Sequence, residues 1–140
     1  MGATYYAMDK ILNYIYTGTT LSQPPSFYVG LATATMTEAS TSATEPTVGS
    51  YARVSFAGNS TNWNTSSSGV LTNKLDIVFV ESTAAWGTIV TVFIADALTG
   101  GNIWYYENIV TGLVGGIEVL DNMLITIPAG ALYVGMGTIL

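Results

Sequence analysis

The chain of 140 residues contains neither cysteine nor histidine. Without cysteine it can form no disulfide and no thiolate metal site, and without histidine it lacks the commonest general base and metal ligand. The sequence patterns of a nucleophile elbow, a phosphate-binding loop and a serine–histidine pair are also missing. We therefore predict that the protein is not an enzyme and has no catalytic residues, no metal ligands and no cofactor.

Charged side chains are scarce and mostly acidic. Lys10, Arg53 and Lys74 are the basic residues, nine residues are acidic, and the net charge is −6. Binding to nucleic acid depends on clusters of lysine and arginine that neutralise phosphates, and this chain has none. We therefore expect no nucleic-acid partner.

The surface of a monomer would be unusually apolar. Charged residues make up 9% of the chain, against about 25% in ordinary soluble domains. Apolar residues make up 49%, and the mean hydropathy is +0.45. A compact monomer of this size exposes roughly 7,000 Å², which so few charges cover thinly. Ser, Thr, Asn and Tyr could solvate this surface, but we favour burial of the apolar excess against other protein chains, as in a homo-oligomer.

No segment has the length and composition of a membrane span. The longest mostly apolar stretch, 89–98, is interrupted by Thr91 and Asp96 and is too short to cross a bilayer as a helix. The N-terminal residues lack the basic and apolar blocks of a signal peptide. We therefore expect no membrane partner.

Residues 4–18 are predicted to form a helix. Apolar residues recur at helical spacing along one side and form a single stripe: Tyr5, Met8, Ile11, Leu12 and Ile15. Thr4 can cap the N-terminus, and Gly18 stands where a left-handed residue ends a helix. The opposite side carries Tyr6 and Tyr14 with few charges, so we expect the helix to lie between two surfaces. Both tyrosines are candidate interface residues.

Beyond residue 26 the pattern changes from helical to alternating. Pro24 and Pro25 end helical structure before that point, and segments rich in β-branched and aromatic residues predict strands at 27–33, 51–56, 74–80, 88–96, 103–109, 123–127 and 131–137. Polar segments at 35–50 and 58–69 predict surface loops that, with the helix, are the expected contact surfaces. The pattern predicts a mainly β fold, an antiparallel β-sandwich or jelly-roll-like barrel, in a single domain spanning 1–140 (helix in 1–18, sandwich in 26–140).

The segment AAWGTIVTVFIADALTGGN at 84–102 is predicted to form the centre of the sheet. Apolar residues fall on both faces of strand 88–96, which is typical of a strand covered on both sides: Ile89, Thr91, Phe93 and Ala95 on one face, and Val90, Val92, Ile94 and Asp96 on the other. Gly100 and Gly101 can adopt the positive φ angles of a tight hairpin. We predict that the structural core contains Trp86, Ile89, Phe93 and Ile94.

Acidic residues are the remaining candidates for chemistry. Asp96 and Glu107 flank the hairpin and could approach each other across it. Glu118 and Asp121, with Asn122, could contribute to a cation site, but neither group has the spacing of a calcium-binding loop. We interpret these acids as solvated residues of turns and strand ends.

Aromatic residues offer an alternative function in binding. Trp63 stands in a loop of Asn, Ser and Thr, and Trp104 neighbours Tyr105 and Tyr106. Sugars stack on such rings and asparagine can bond their hydroxyls, so a glycan-binding module is one alternative; the other is that Trp104 and one tyrosine pack in the core. Arg53 is expected to pair with an acid or a carbonyl, within the chain or across subunits. Trp63 and Arg53 complete the candidate interface residues.

Several stretches together resemble a family of small structural proteins of tailed bacteriophages. The pieces are ILNYIYTG, PPSFYVGLAT, TEPTVGSYARVSF and IPAGAL, and the best match is AAWGTIVTVFIADALTGGN. Members of such families are tail fibre or minor tail proteins, while related folds serve as head decoration or cement proteins. The resemblance therefore implies a structural role in the virion.

Within that role, the sequence favours a capsid decoration or cement protein that stabilises the head by bridging major capsid subunits. The chain has no long fibrous repeat or coiled-coil heptad that would build a shaft, so a tail fibre or minor tail component is the alternative. The expected partners are the major capsid protein or other virion proteins. We expect a homo-oligomer, with a trimer favoured because three-fold symmetry is natural in capsids and fibres alike. The expected location is the virion, on the capsid surface or else in the tail.

Overall fold

The computed structural model describes residues 1–109 and 115–136. The elements in chain order are β1 (Gly2–Ala3), α1 (Tyr5–Thr17), β2 (Tyr28–Ala32), β3 (Val54–Ser55), β4 (Val70–Thr72), β5 (Ile77–Val78), β6 (Gly87–Ile89), β7 (Thr91–Ala95), β8 (Ile103–Asn108), β9 (Ile117–Val119), β10 (Thr126–Ile127) and β11 (Tyr133–Gly135). Every strand pair among these residues is antiparallel. The prediction of a mainly β, antiparallel fold with a short N-terminal helix is confirmed.

The largest sheet has five strands in the order β1-β8-β7-β2-β3, so β7 lies at its centre. All five residues of β7 are buried, which confirms the prediction of a strand covered on both sides. Gly30 of β2 lies opposite Phe93 of β7. The Phe93 ring occupies the space that a Cβ on residue 30 would take, so glycine lets this ring lie flat across the neighbouring strand.

One face of this sheet is covered by three small ladders, β4 with β11, β5 with β10, and β6 with β9. The sheet contributes Val29, Leu31, Val92 and Ile94 to the core between the two layers. The ladders and the segments beside them contribute Ile77, Phe79, Trp86, Ile89, Val119, Leu132 and Val134. This layered arrangement suits the predicted sandwich.

The segment 35–50 covers the other face of the sheet. Met36 is buried in a second cluster with Phe93 and Ile103. The Asn108 side chain fixes it from both sides: Asn108 Oδ1 accepts a hydrogen bond from the Met36 N–H, and Asn108 Nδ2 donates to the Met36 carbonyl, each at 2.9 Å. A segment predicted as a polar surface loop therefore also forms part of the core, because one methionine anchors it.

The predicted strand 88–96 is divided into two. β6 pairs with β9, whereas β7 pairs with β2 and β8, and Val90 joins them. The prediction that Ile89 shares a face with Phe93 is wrong for this reason. The chain changes its pairing partner at Val90, and the Ile89 side chain packs in the same cluster as Val92 and Ile94. The side-chain alternation of a strand persists only while the chain stays in one ladder.

Three strands were not predicted, namely β1, β4 and β9, each of two or three residues. Such lengths show no detectable alternation, and the pairing partner decides whether they form. Predicted strands 51–56, 74–80 and 123–127 shorten to β3, β5 and β10. The end of predicted strand 131–137 lies outside the described residues.

Helix α1 begins and ends as the sequence predicts. Thr4 Oγ1 accepts a hydrogen bond from the Ala7 N–H at 3.4 Å and donates to the Ile103 carbonyl at 2.5 Å, which ties the cap to β8. Gly18 ends the helix with a φ of 70°. Ala7 is the buried residue of the helix and packs near Trp104. In the described parts of the chain, no helix has the length and apolar character needed to cross a membrane.

Candidate interaction surfaces

Much of the apolar side of α1 is exposed. Leu12, Ile15 and Tyr16 are 51%, 59% and 79% exposed, and Tyr5 is also exposed. These four residues are called the α1 stripe below. The helix packs on the sheet through Ala7 instead, because a small residue allows the first turn to approach the large ring of Trp104. Of the stripe that the sequence predicts, Met8 packs against the cluster of Ala7 and Trp104, and Ile11 is half-buried. Tyr5, Leu12 and Ile15 remain exposed among the described residues.

The two tyrosines predicted as interface residues have different environments. Tyr6 is partly buried, with its ring edge-on to Trp104 at a centroid distance of 5.4 Å. The Lys10 ammonium lies 5.4 Å from the centre of the same ring, so Tyr6 helps to fix α1 to the sheet. Tyr14 is exposed and lies beyond the part of the helix that contacts the sheet.

A groove of about 390 Å³ opens beside Trp63; it is called the Trp63 groove below. Its floor is formed by buried or half-buried aliphatic side chains of three strands, and its walls by partly buried rings. The floor residues are Leu71, Ile94 and Val134, the wall residues are Phe27, Trp63 and Tyr105, and exposed polar residues form the rim: Gln23, Asn59, Ser60, Asn64 and Thr65. The groove is thus apolar inside and polar at its edge.

The loop 58–69 holds Trp63 through its own hydrogen bonds. Asn59 Oδ1 accepts from the N–H groups of Thr61 and Asn62, each at 3.0 Å, and the Trp63 N–H donates to the Asn59 carbonyl at 3.0 Å. This asparagine turn directs the indole onto Phe56, edge-on at 5.1 Å between ring centres. Trp63 is therefore an ordered wall of the groove.

Tyr105 forms the facing wall from β8. Its hydroxyl donates to the sulfur of Met136 at 3.6 Å. Burial raises the pKa of this hydroxyl above its ordinary value, so it stays neutral at physiological pH. The aromatic walls of the groove therefore add no charge.

The Arg53 side chain forms its hydrogen bonds with residues of the same chain. Its side chain is 3% exposed, and its Nε and Nη2 donate to the two carboxylate oxygens of Glu45 at 2.9 and 2.7 Å. Its Nη1 donates to the carbonyls of Ala97 and Gly100 at 2.6 and 2.8 Å, and its guanidinium carbon lies 5.0 Å from the centre of the Phe93 ring. Of the two pairing alternatives, the structure has the internal one, with both an acid and carbonyls as partners.

Asp96 closes the hairpin that joins β7 to β8. Its Oδ1 accepts from the Asn102 N–H at 2.7 Å, and its Oδ2 accepts from Asn102 Nδ2 at 2.9 Å and from the Trp104 indole at 3.2 Å. Burial raises the pKa of this carboxyl, but the hydrogen bonds from Asn102 and Trp104 outweigh burial and hold the pKa below its ordinary value. Trp104 is itself buried, so this cluster is part of the scaffold.

Asp96 and Glu107 do not approach each other across the hairpin. Glu107 lies opposite Val92 near the far end of β7, whereas Asp96 follows the last residue of that strand. Glu118 lies on β9 opposite Thr88. Across residues 1–109 and 115–136, no group of three or more His, Cys, Asp or Glu side chains comes together as a metal site would require.

Asp96→Asn should lower the free energy of unfolding by about 1–2 kcal/mol at neutral pH, because charge-assisted hydrogen bonds to Asn102 and Trp104 are weakened. The folded pKa lies below the ordinary 3.8, so this stabilisation is complete above that pH and is lost as the pH falls through the folded value. Urea denaturation over a pH series should show the two proteins converging in acid. Asp121→Asn, the same change in an exposed turn, is the control, and an equal loss in both variants would contradict the prediction.

The sequence pointed to Trp63 but not to the other residues that line the groove with it. Leu71 lies on the unpredicted strand β4, which begins after a turn at Ser68 and Gly69, where both φ angles are positive. The Ser-Gly pair before Val-Leu-Thr was the available signal for this strand. Nothing in the sequence indicated that Phe27 and Tyr105, far apart along the chain, would meet Trp63.

Comparison with known proteins supports one family. No curated protein matches the chain. The family model described as Podophage GP4 fiber I protein gp80 matches residues 2–134, nearly the whole chain. The match confirms the resemblance to structural proteins of tailed phages and a location in the virion. The chain belongs to the family of the podophage GP4 fiber I protein gp80, a family of virion structural proteins of the tail fibre type.

Proposed function

We propose that the protein is a tail fibre component of the phage virion. The observation that carries this proposal is the fibre family match over residues 2–134. The family favours the fibre alternative over the capsid cement function that the sequence had placed first. The exposed apolar helix supports a role in assembly, because a chain that worked alone would gain nothing from leaving such a surface uncovered.

We propose further that the protein self-associates through the α1 stripe, with a trimer as the favoured state. Three residues of the stripe, Tyr5, Leu12 and Ile15, continue an a/d pattern with Met8, which lies beside the stripe and is partly buried. Positions 5, 8, 12 and 15 are separated by three, four and three residues, as in a short helix bundle. Leucine at position a with isoleucine at position d favours three or four helices over two. Two such heptads are too short for a fibre shaft, but they suffice for a contact between helices that the sheet already holds in place.

The location is tested by labelling this chain on intact virions. A gold-labelled antibody should mark a few copies at the tail, and virions assembled without the protein should have complete heads but reduced adsorption to host cells. Purified heads supply the control, since they should carry no label. Dense labelling over the whole head surface would overturn the proposal and favour the capsid cement function.

A further inference from the structure

We propose that the Trp63 groove is a binding site for a neutral saccharide. This site goes beyond a structural role in the fibre, because assembly through the α1 stripe uses none of the groove residues. The proposal rests on the state of the three tryptophans, on the unused polar groups of the rim, and on the absence of charge in the groove.

Trp63 differs from the other two tryptophans in what its indole N–H does. Trp86 is 3% exposed and donates to the Gly49 carbonyl at 2.8 Å, and Trp104 is 7% exposed and donates to Asp96 at 3.2 Å. The Trp63 indole is only partly buried and donates to no residue that the structure describes. A flat ring face beside a free N–H donor offers a sugar both the stacking surface and a hydrogen bond.

The rim amides are held in place and still have free atoms. Asn64 Nδ2 donates to Thr72 Oγ1 at 2.9 Å, which leaves Asn64 Oδ1 as an acceptor. Asn59 Oδ1 accepts hydrogen bonds within the loop, which leaves Asn59 Nδ2 as a donor. Gln23 Nε2 donates to the Gly58 carbonyl, which leaves Gln23 Oε1 as an acceptor. Sugar hydroxyls both donate and accept, so a rim that offers both kinds of group matches them.

The charge of the groove selects the class of saccharide. No lining residue is charged, and the protein carries a net charge of −6. Acidic sugars and phosphates would lack a counter-ion and be repelled, and a cationic ligand would find no carboxylate in the groove. The volume of about 390 Å³ lies within the roughly 300–1,000 Å³ typical of small-ligand sites.

The fluorescence of Trp63 provides the test, because the other two tryptophans are buried. The full chain is titrated with maltotriose, cellotriose and tri-N-acetylchitotriose up to about 10 mM each, since a small groove of this kind gives millimolar affinity. At least one sugar should shift the emission saturably. Trp63→Ala should weaken binding of that sugar by roughly tenfold or more, measured by calorimetry because the fluorescent reporter is removed.

Two further variants separate binding from folding. Trp63→Phe keeps an aromatic ring against Phe56 but lacks the indole N–H, so it should bind with intermediate affinity. Tyr16→Ala removes a more exposed aromatic ring from the α1 stripe and should bind the sugar like the unaltered protein. The circular dichroism and melting curve of each variant establish that it is folded.

Three results would overturn the proposal. The first is that none of the three sugars binds, and the second is that binding survives in folded Trp63→Ala. The third is that Trp63→Ala converts an oligomer into monomers, because the groove would then hold a second copy of this chain and not a saccharide. A sialylated oligosaccharide titrated under the same conditions should bind more weakly than the neutral sugar, and preferential binding of it would contradict the assignment to neutral sugars.

Discussion

Glu45→Ala should lower the free energy of unfolding by about 3 kcal/mol, a larger loss than Asp96→Asn should cause. Removing the carboxylate leaves the Arg53 guanidinium buried with two carbonyl partners and no compensating charge. The Glu45 side chain is 22% exposed, so water can replace part of the lost contact. For this reason we expect the lower end of the range seen for broken buried pairs.

Chemical denaturation measures this loss, and Glu81→Ala is the matched control. Glu81 is an exposed glutamate, so its replacement should change stability by no more than about 0.5 kcal/mol. A Glu45→Ala loss of that same small size would show that the ion pair contributes little. The hydroxyl of Tyr51 also donates to Glu45 at 2.9 Å, and burial raises its pKa, so the variant removes an acceptor from a buried neutral phenol as well.

The regions that Glu45→Ala destabilises provide a second measurement on the same variant. Arg53 joins the segment that carries Glu45 to the hairpin tip at Ala97 and Gly100. Hydrogen exchange should therefore accelerate in 35–50 and at the hairpin tip before it does so in β7. Uniform acceleration over the whole chain would mean that the ion pair supports global stability and not this particular junction.

Ile15→Asp should convert a self-associated protein into monomers while leaving its fold intact. Ile15 is 59% exposed within one chain, so the substitution should change monomer stability by about 0.5 kcal/mol or less. In a helix bundle the same carboxylate would be buried without a partner, and the cost of that burial is several kcal/mol per chain. The expected result is complete loss of the oligomer at micromolar concentration.

Light scattering coupled to size exclusion measures the mass of each species. Asn13→Asp is the control, because it introduces the same charge on an exposed side of α1 away from the stripe. It should leave the oligomer intact. An unaltered protein that is monomeric at micromolar concentration, or an Ile15→Asp variant that keeps its mass, would sink the proposed interface.

The two proposed surfaces predict separable phenotypes. The α1 stripe and the Trp63 groove share no residue, so Ile15→Asp should abolish assembly without affecting sugar binding by the monomer. Trp63→Ala should weaken sugar binding by roughly tenfold or more without affecting assembly. This pattern also separates the failure of one proposal from the failure of the other.

The local features of the fold could be predicted because neighbouring residues decide them. The ends of α1 follow from a threonine whose hydroxyl bonds the Ala7 N–H and from a glycine with a φ of 70°. The centre of the sheet follows from a strand that is apolar on both faces, and the structure buries every residue of β7. The predicted face of Ile89 was wrong because the alternation on which it relied stops where the chain changes ladder.

The candidate sites could be predicted only in part. Trp63 was identifiable because a large ring in a loop of Asn, Ser and Thr is unusual, but its facing walls come from segments that begin and end far from it along the chain. Arg53 was predicted to find an acid or a carbonyl. The choice of Glu45, Ala97 and Gly100 depends on how two loops meet over β7.

The sequence was sufficient to establish the scarcity of charge, the absence of cysteine and histidine and the apolar stripe of the helix, since composition and local spacing determine these properties. The likeness to phage structural proteins came from particular stretches that resemble that family. The tertiary structure was needed to show which side of the helix is covered. Ala7 contacts the sheet while Leu12 and Ile15 remain exposed, because the fit of a small residue against Trp104, and not hydrophobicity alone, decides how the helix packs.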